Sequence, residues 1–122
     1  MKLSIQIIIM IVGLNAYGQS NELFSKKYEQ AIYMVRQKES TPKLLKIKAS
    51  ESFDVRALEQ IENVLVEKKG FYNFEVDQTN KIMSIYYLSF IDLEIIESIV
   101  EKEGVKFKVI SNEIDQKMIE KQ

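Results

Sequence analysis

Residues 54–71 read DVRALEQIENVLVEKKGF. Val55, Leu58, Ile61 and Leu65 recur at spacings of three and four, which sets them along one face of a helix. Ser52 or Asp54 can supply the oxygen that caps its first free amides. Gly70 stops the helix just after Lys68-Lys69, and basic residues there suit the negative end of the helix dipole. Phe71 then opens a stretch with a different period, so the segment reads as helix, tight stop and strand.

Working outward, Leu45, Ile47 and Ala49 alternate with Lys46 and Lys48, the period-two signature of a strand with one wet face. Ser50 to Asp54 is the turn into the helix. Phe71 to Asp77 and Lys81 to Tyr87 are two strands joined by Gln78-Thr79-Asn80, a hairpin. Ser89 and Asp92 have the spacing of a capping box. They open a second helix whose buried stripe is Leu93, Ile96 and Ile99 or Val100, stopped by Gly104. Val105, Phe107 and Val109 then alternate with Lys106 and Lys108 as a last strand. The order βαββαβ predicts an α+β fold, a ferredoxin-like sandwich with an antiparallel four-stranded sheet, strand order 4-1-3-2, and both helices on one face.

Asn21 to Lys38 places Phe24, Tyr28, Ala31 or Ile32, and Val35 on one helical face, with Asn21 as a plausible cap. Ala31 to Val35 reads alternatively as a strand. Ser40-Thr41-Pro42, with the one proline of the chain, breaks that pattern. Before it, Lys2, the apolar run Leu3 to Leu14 and Ala16-Tyr17-Gly18 follow the grammar of a cleavable export signal ending at Gly18. A membrane anchor is the competing reading, although the run falls short of the roughly 20 residues a span needs. No cysteine follows for lipid attachment. The expected organisation is a signal at 1–18, an extra helix and linker at 19–42, the sandwich at 43–110 and a polar tail at 111–122. In that tail Ile114 and Met118 can form one helical turn.

The 122 residues contain no cysteine and no histidine. Removing Lys2 with the signal leaves 16 basic residues against 18 acidic ones, a net charge of −2. Near-neutrality argues against a general nucleic-acid binder, and signal cleavage leaves no membrane anchor. Without disulfides the core alone must hold the fold in an oxidising compartment, periplasmic or secreted.

From Leu45 to Ile110 the chain resembles the heavy-metal-associated domain of copper chaperones and metal-transporting ATPases. Ile61-Glu62 matches the family's Ile-Glu pair, and Gly70-Phe71 stands at the place of its Gly-Val pair nine residues on. Phe74, Val76 and Asp77 match the strand that follows. The resemblance places the family's two metal-binding cysteines on Asp54 and Ala57, and its methionine on Ser52. A soft metal needs thiolates there. The resemblance therefore implies the fold without the metal site, and no cofactor is expected. Met34, Met83 and Met118 fall on separate elements and read as packing residues rather than a thioether site. Glu59, Glu62 and Glu67 read as a solvated helix face, with weak sharing of a hard cation by Glu59 and Glu62, three apart, as the alternative.

No catalytic residue is expected. There is no histidine or cysteine to act as base or nucleophile, and no glycine-rich phosphate loop. Acylphosphatases share this topology and use an arginine near the position of Arg56, but their glycine-rich loop is missing. Alternation instead groups Lys46, Lys48, Lys106 and Lys108 on the sheet face away from the helices, with Tyr86 at the margin. Lysines on and near an edge strand discourage sheet-to-sheet association. The same group, with Tyr86, also fits a docking face for an acidic protein or peptide. The function expected is an exported, non-catalytic binding module. The alternative is residual metal-ion binding, or a transport-related role, with a non-standard ligand set. The extra helix must also bury its stripe: beside the domain, over the open face, or against another chain.

The export reading has a direct check. Intact mass of the exported protein should correspond to a chain starting at or near Gln19; a membrane-bound form retaining Met1 to Gly18 would refute it.

Overall fold

The computed structural model describes residues 18–120. The export segment expected at 1–18 lies outside them except for Gly18. The elements in chain order are α1 (Gly18–Arg36), β1 (Pro42–Ala49), α2 (Val55–Glu67), β2 (Phe71–Asp77), β3 (Ile82–Leu88), α3 (Leu93–Lys102), β4 (Phe107–Ile114) and α4 (Gln116–Glu120). One antiparallel sheet runs β2-β3-β1-β4, the expected order read from the other edge. This is the ferredoxin-like arrangement.

The main core lies between the sheet and the α2–α3 layer. Leu45, Ile47 and Ala49 of β1 meet Phe71 and Phe74 of β2 and Met83, Ile85 and Tyr87 of β3. Leu58, Ile61 and Leu65 of α2 and Ile96 and Val100 of α3 close over them. Period two in the strands and period 3.6 in the helices therefore converge on one apolar volume. Gly70 makes the α2–β2 corner at φ +104°, and a Cβ there would lie 2.5 Å from Ile91 Cδ1 and 2.7 Å from Phe90 Cζ. The backbone angle favours glycine, while the two facing side-chain tips would have to swing aside for a larger residue.

α1 is helical throughout, Ala31 to Val35 included, and Asn21 lies inside it rather than at its start. The helix touches both layers. Phe24 enters the main core, and Lys27 Nζ donates to the carbonyl of Leu65 at 3.2 Å and to that of Lys68. An ammonium from α1 thus serves the last carbonyls of α2, the role expected of Lys68-Lys69, which fall just beyond the helix end. Burial holds the Lys27 pKa below its ordinary value.

Further along, Tyr28, Ala31, Ile32, Met34 and Val35 pack on the opposite sheet face in a second cluster with Tyr72, Tyr86, Leu88 and Met118. Tyr72 is at the centre. Strand alternation sets Phe71 and Tyr72 on opposite faces, one in each core, and the register shift between Phe71 and Asn73 lets Phe71 and Phe74, three residues apart, both enter the main core. The Tyr72 ring lies 5.8 Å from that of Tyr28 and 5.9 Å from that of Tyr86. Its hydroxyl donates to Asp115 Oδ2 at 2.7 Å.

The last strand differs from the expected one at both ends. β4 begins at Phe107, leaving Val105 and Lys106 in the connection, and continues past Ile110 to Ile114. A second register shift, opposite Lys46 and Ile47, leaves Ile110 unpaired and restarts the ladder with Ser111 beside Lys46. The bulge breaks the alternation, which is why the polar residues after it look like a tail. Asp115 then bonds through its amide to the Pro42 carbonyl at 2.9 Å, and its Oδ1 accepts from the Met118 amide at 3.4 Å. This begins α4, and Met118 is fully buried.

The expected capping box is also replaced. Asp92 precedes α3 without a side-chain cap bond, while Ser89 Oγ accepts the Thr41 amide at 3.0 Å and lies 3.1 Å from Ser40 Oγ. Ser89 therefore ties the α1–β1 linker to the end of β3.

Burial, then the bond to Asp115, pushes the Tyr72 pKa above the ordinary tyrosine range. Its folded pKa exceeds the unfolded value near 10. Its contribution is therefore complete below about pH 10 and is lost as pH rises beyond it. Tyr72→Phe should cost about 1–3 kcal/mol at neutral pH by leaving the buried Asp115 short of a donor. Denaturant melts should also show a shallower alkaline loss of stability in Tyr72→Phe than in the parent chain.

Candidate functional site

Two regions qualify as sites: the loop before α2 and the open face of the sheet. In the loop, Asp54 is the α2 cap, its Oδ1 accepting the Arg56 amide at 2.9 Å. Ala57 is buried against the core side of α2, and Ser52 is exposed. Phe53 is buried between them, and its backbone is held at two points by Gln78: its amide donates to Gln78 Oε1 at 3.0 Å, and its carbonyl accepts from Gln78 Nε2 at 2.9 Å. The β2–β3 turn thus fastens the loop. Gln78 is read from sequence only as a turn residue. Its carboxamide matches both hydrogen-bonding groups of a facing peptide, a pairing that only tertiary proximity discloses.

That loop has nothing to offer a soft cation. Ala57 provides no donor atom, and Asp54 offers a hard oxygen, with Oδ1 accepting from the helix end. Among the described residues no three or more His, Cys, Asp or Glu side chains are grouped to hold a metal ion. Of the two glutamates considered for a hard cation, Glu59 is exposed and Glu62 is buried, so the solvated face expected of α2 holds for Glu59 and Glu67 but not for Glu62.

The open face is divided. At one end α1 and α4 cover Tyr72 and Leu88. At the other end the lysines stand exposed. Lys48 is registered beside Lys108, and Lys46 beside Ser111. The Ser50 amide donates to the Lys106 carbonyl at 3.1 Å, carrying the ladder one step past β4 and bringing Lys106 beside Lys48–Lys108. Across the sheet, Lys46 pairs with Ser84 and Lys48 with Ile82, while Glu75 and Asp77 of β2 pair with the same two β3 residues. Over the rows of Lys46 and Lys48 the face is therefore basic toward β4 and acidic toward β2, while Glu113 of β4 stands on the same face beside Leu44.

Tyr86 stands differently from the lysines. It is half-buried, its ring is engaged with Tyr72, and its hydroxyl donates to Glu75 Oε1 at 2.6 Å. Burial and that bond keep its pKa above the usual tyrosine range. Its ring is thus part of the wall between the covered and bare halves. Asp77 accepts from Asn80 through both oxygens, at 3.1 and 2.8 Å, and the side-chain bond foremost holds its pKa below the usual value. The β2 margin keeps its negative charge.

Neither family models nor curated protein sequences match this chain. Solved structures do. The Atx1–Cu(I)–Ccc2a complex gives a TM-score of 0.51 at 13% identity, covering 57% of this chain and 96% of that one. The copper transporter domain Ccc2a from yeast, determined in apo and Cu(I)-loaded states, gives 0.50 at 13% identity with the same coverage. At this identity the likeness is one of fold. It agrees with the ferredoxin-like sandwich, while this chain has no cysteine at all.

The loop geometry predicts that the unmodified protein binds Cu(I) and Zn(II) no more tightly than a generic acidic protein does. Asp54→Cys combined with Ala57→Cys should create thiol-dependent Cu(I) affinity, measured by competition with a chromogenic chelator. Submicromolar binding by the unmodified chain would contradict the first statement, and a silent double variant the second.

Proposed function

We propose that this chain is an exported, non-catalytic binding module that docks an acidic protein or peptide on the bare, lysine-bearing half of its sheet. One observation carries the reading: α1 and α4 cover the tyrosine half of the open face, while Lys46, Lys48, Lys106 and Lys108 stay exposed beside it. The extra helix has its apolar stripe engaged within the chain, which favours the bare sheet over that stripe as the surface for a partner. No described helix is long and apolar enough to cross a membrane. Export follows from residues 1–18 and is part of the proposal.

Like charges on neighbouring strands repel, and the fold gains nothing from grouping them. A negatively charged partner relieves that repulsion and draws speed and selectivity of association from the same field. If the lysines serve only to keep sheets apart, they have no such partner.

Lys48→Thr combined with Lys106→Thr should leave the fold intact, since threonine suits exposed strand positions. Its capture of a polyglutamate peptide should weaken, with a flatter dependence on salt, because exposed charges are screened beyond about 10 Å at 0.1 M ionic strength. Unchanged peptide capture together with increased self-association in sedimentation would refute docking and leave edge protection as the role.

A further inference from the structure

Resting on that docking reading, we infer that the acidic partner adds to the sheet as a fifth strand along β4, an extended segment in which acidic and apolar side chains alternate. β4 is an edge of the sheet, with one side of its backbone unpaired among the described residues. Such an edge is a template for another strand.

The two faces of β4 specify what that strand carries. Toward the open face, Lys108 lies beside Lys48, with Lys106 one step on. Toward the helix side, Val109 and Ile114 are 38% and 44% exposed, because they stand in the outermost row. Ile110, unpaired at the bulge, is 48% exposed. Successive side chains of a strand point to opposite faces. A strand laid against β4 therefore satisfies both rows by setting carboxylates beside Lys106 and Lys108 and apolar groups beside Val109 and Ile114, with an uncharged residue opposite Glu113, which stands on the open face past the bulge.

The alternatives are disfavoured by charge. Pairing the 107–109 segments of two copies sets lysine against lysine, so a second copy of this chain is a poor occupant. The opposite edge, β2, carries Glu75 and Asp77 on the open face and is contacted by α1, so an acidic strand is repelled there.

The test titrates the full chain with a labelled peptide of five Glu-Val repeats. Controls are the same ten residues as five glutamates followed by five valines, and the alternating peptide N-methylated on both edges. Strand addition predicts at least about tenfold tighter binding of the alternating peptide, since several main-chain hydrogen bonds, each worth about two- to tenfold, are added. Methylation should abolish that advantage. Amide hydrogen exchange should slow across 107–114. Lys106→Thr with Lys108→Thr should weaken the interaction about three- to tenfold. Equal binding of alternating, block and methylated peptides, sensitive to the lysine substitutions, would overturn strand addition and leave docking standing. Absence of binding by every acidic peptide, polyglutamate included, would overturn both.

Discussion

A four-stranded sheet has two faces to cover, and here both crossover helices lie on one of them. Tyr72 organises the cover of the other. Its ring carries the contact with α1 through Tyr28, and its hydroxyl is held by Asp115 at the start of α4. Helix elements from opposite ends of the described chain thus meet on one side chain. A buried carboxylate is costly unless its oxygens are satisfied, and both Asp115 oxygens are. The bond therefore fixes where α4 begins as well as where α1 rests.

The candidate surface is a consequence of how far that cover reaches. α1 and α4 stop at the row containing Tyr86, and beyond it the sheet is lined by side chains that cannot be buried cheaply. Four ammonium groups and the acidic margin on β2 remain in water. The charge gradient in the rows of Lys46 and Lys48 arises because β1 and β4 contribute lysines there while β2 contributes carboxylates. The loop before α2 has taken another course. Its cap, its buried phenylalanine and its Gln78 clip all support α2, and none supplies a thiolate. Likeness to copper-binding folds is consistent with this, because the fold depends on core and turn positions such as Ile61, Gly70 and Phe74, which are independent of the ligand positions.

The βαββαβ order, the strand order and the exposed lysines were all legible in the sequence, for a simple reason. Side-chain period follows from local backbone geometry, and a segment with one apolar face must turn that face inward wherever it lies. Asp54 was legible as one of two candidate helix caps, and the lack of thiolates at Asp54 and Ala57 is plain because residue identity alone excludes that chemistry. Where α1 packs, the two bulges, the continuation of β4 to Ile114 and the roles of Ser89, Lys27 and Gln78 were decided by tertiary structure. Each depends on a partner distant in sequence: Tyr72 for α1, Thr41 for Ser89, the end of α2 for Lys27, Phe53 for Gln78. Bulges escape a periodic reading because they are breaks in the period, placed where two strands of unequal demand must share a register. The residues could say which faces were apolar and which charged; only the packed chain determined which of those faces another part of the same molecule would cover.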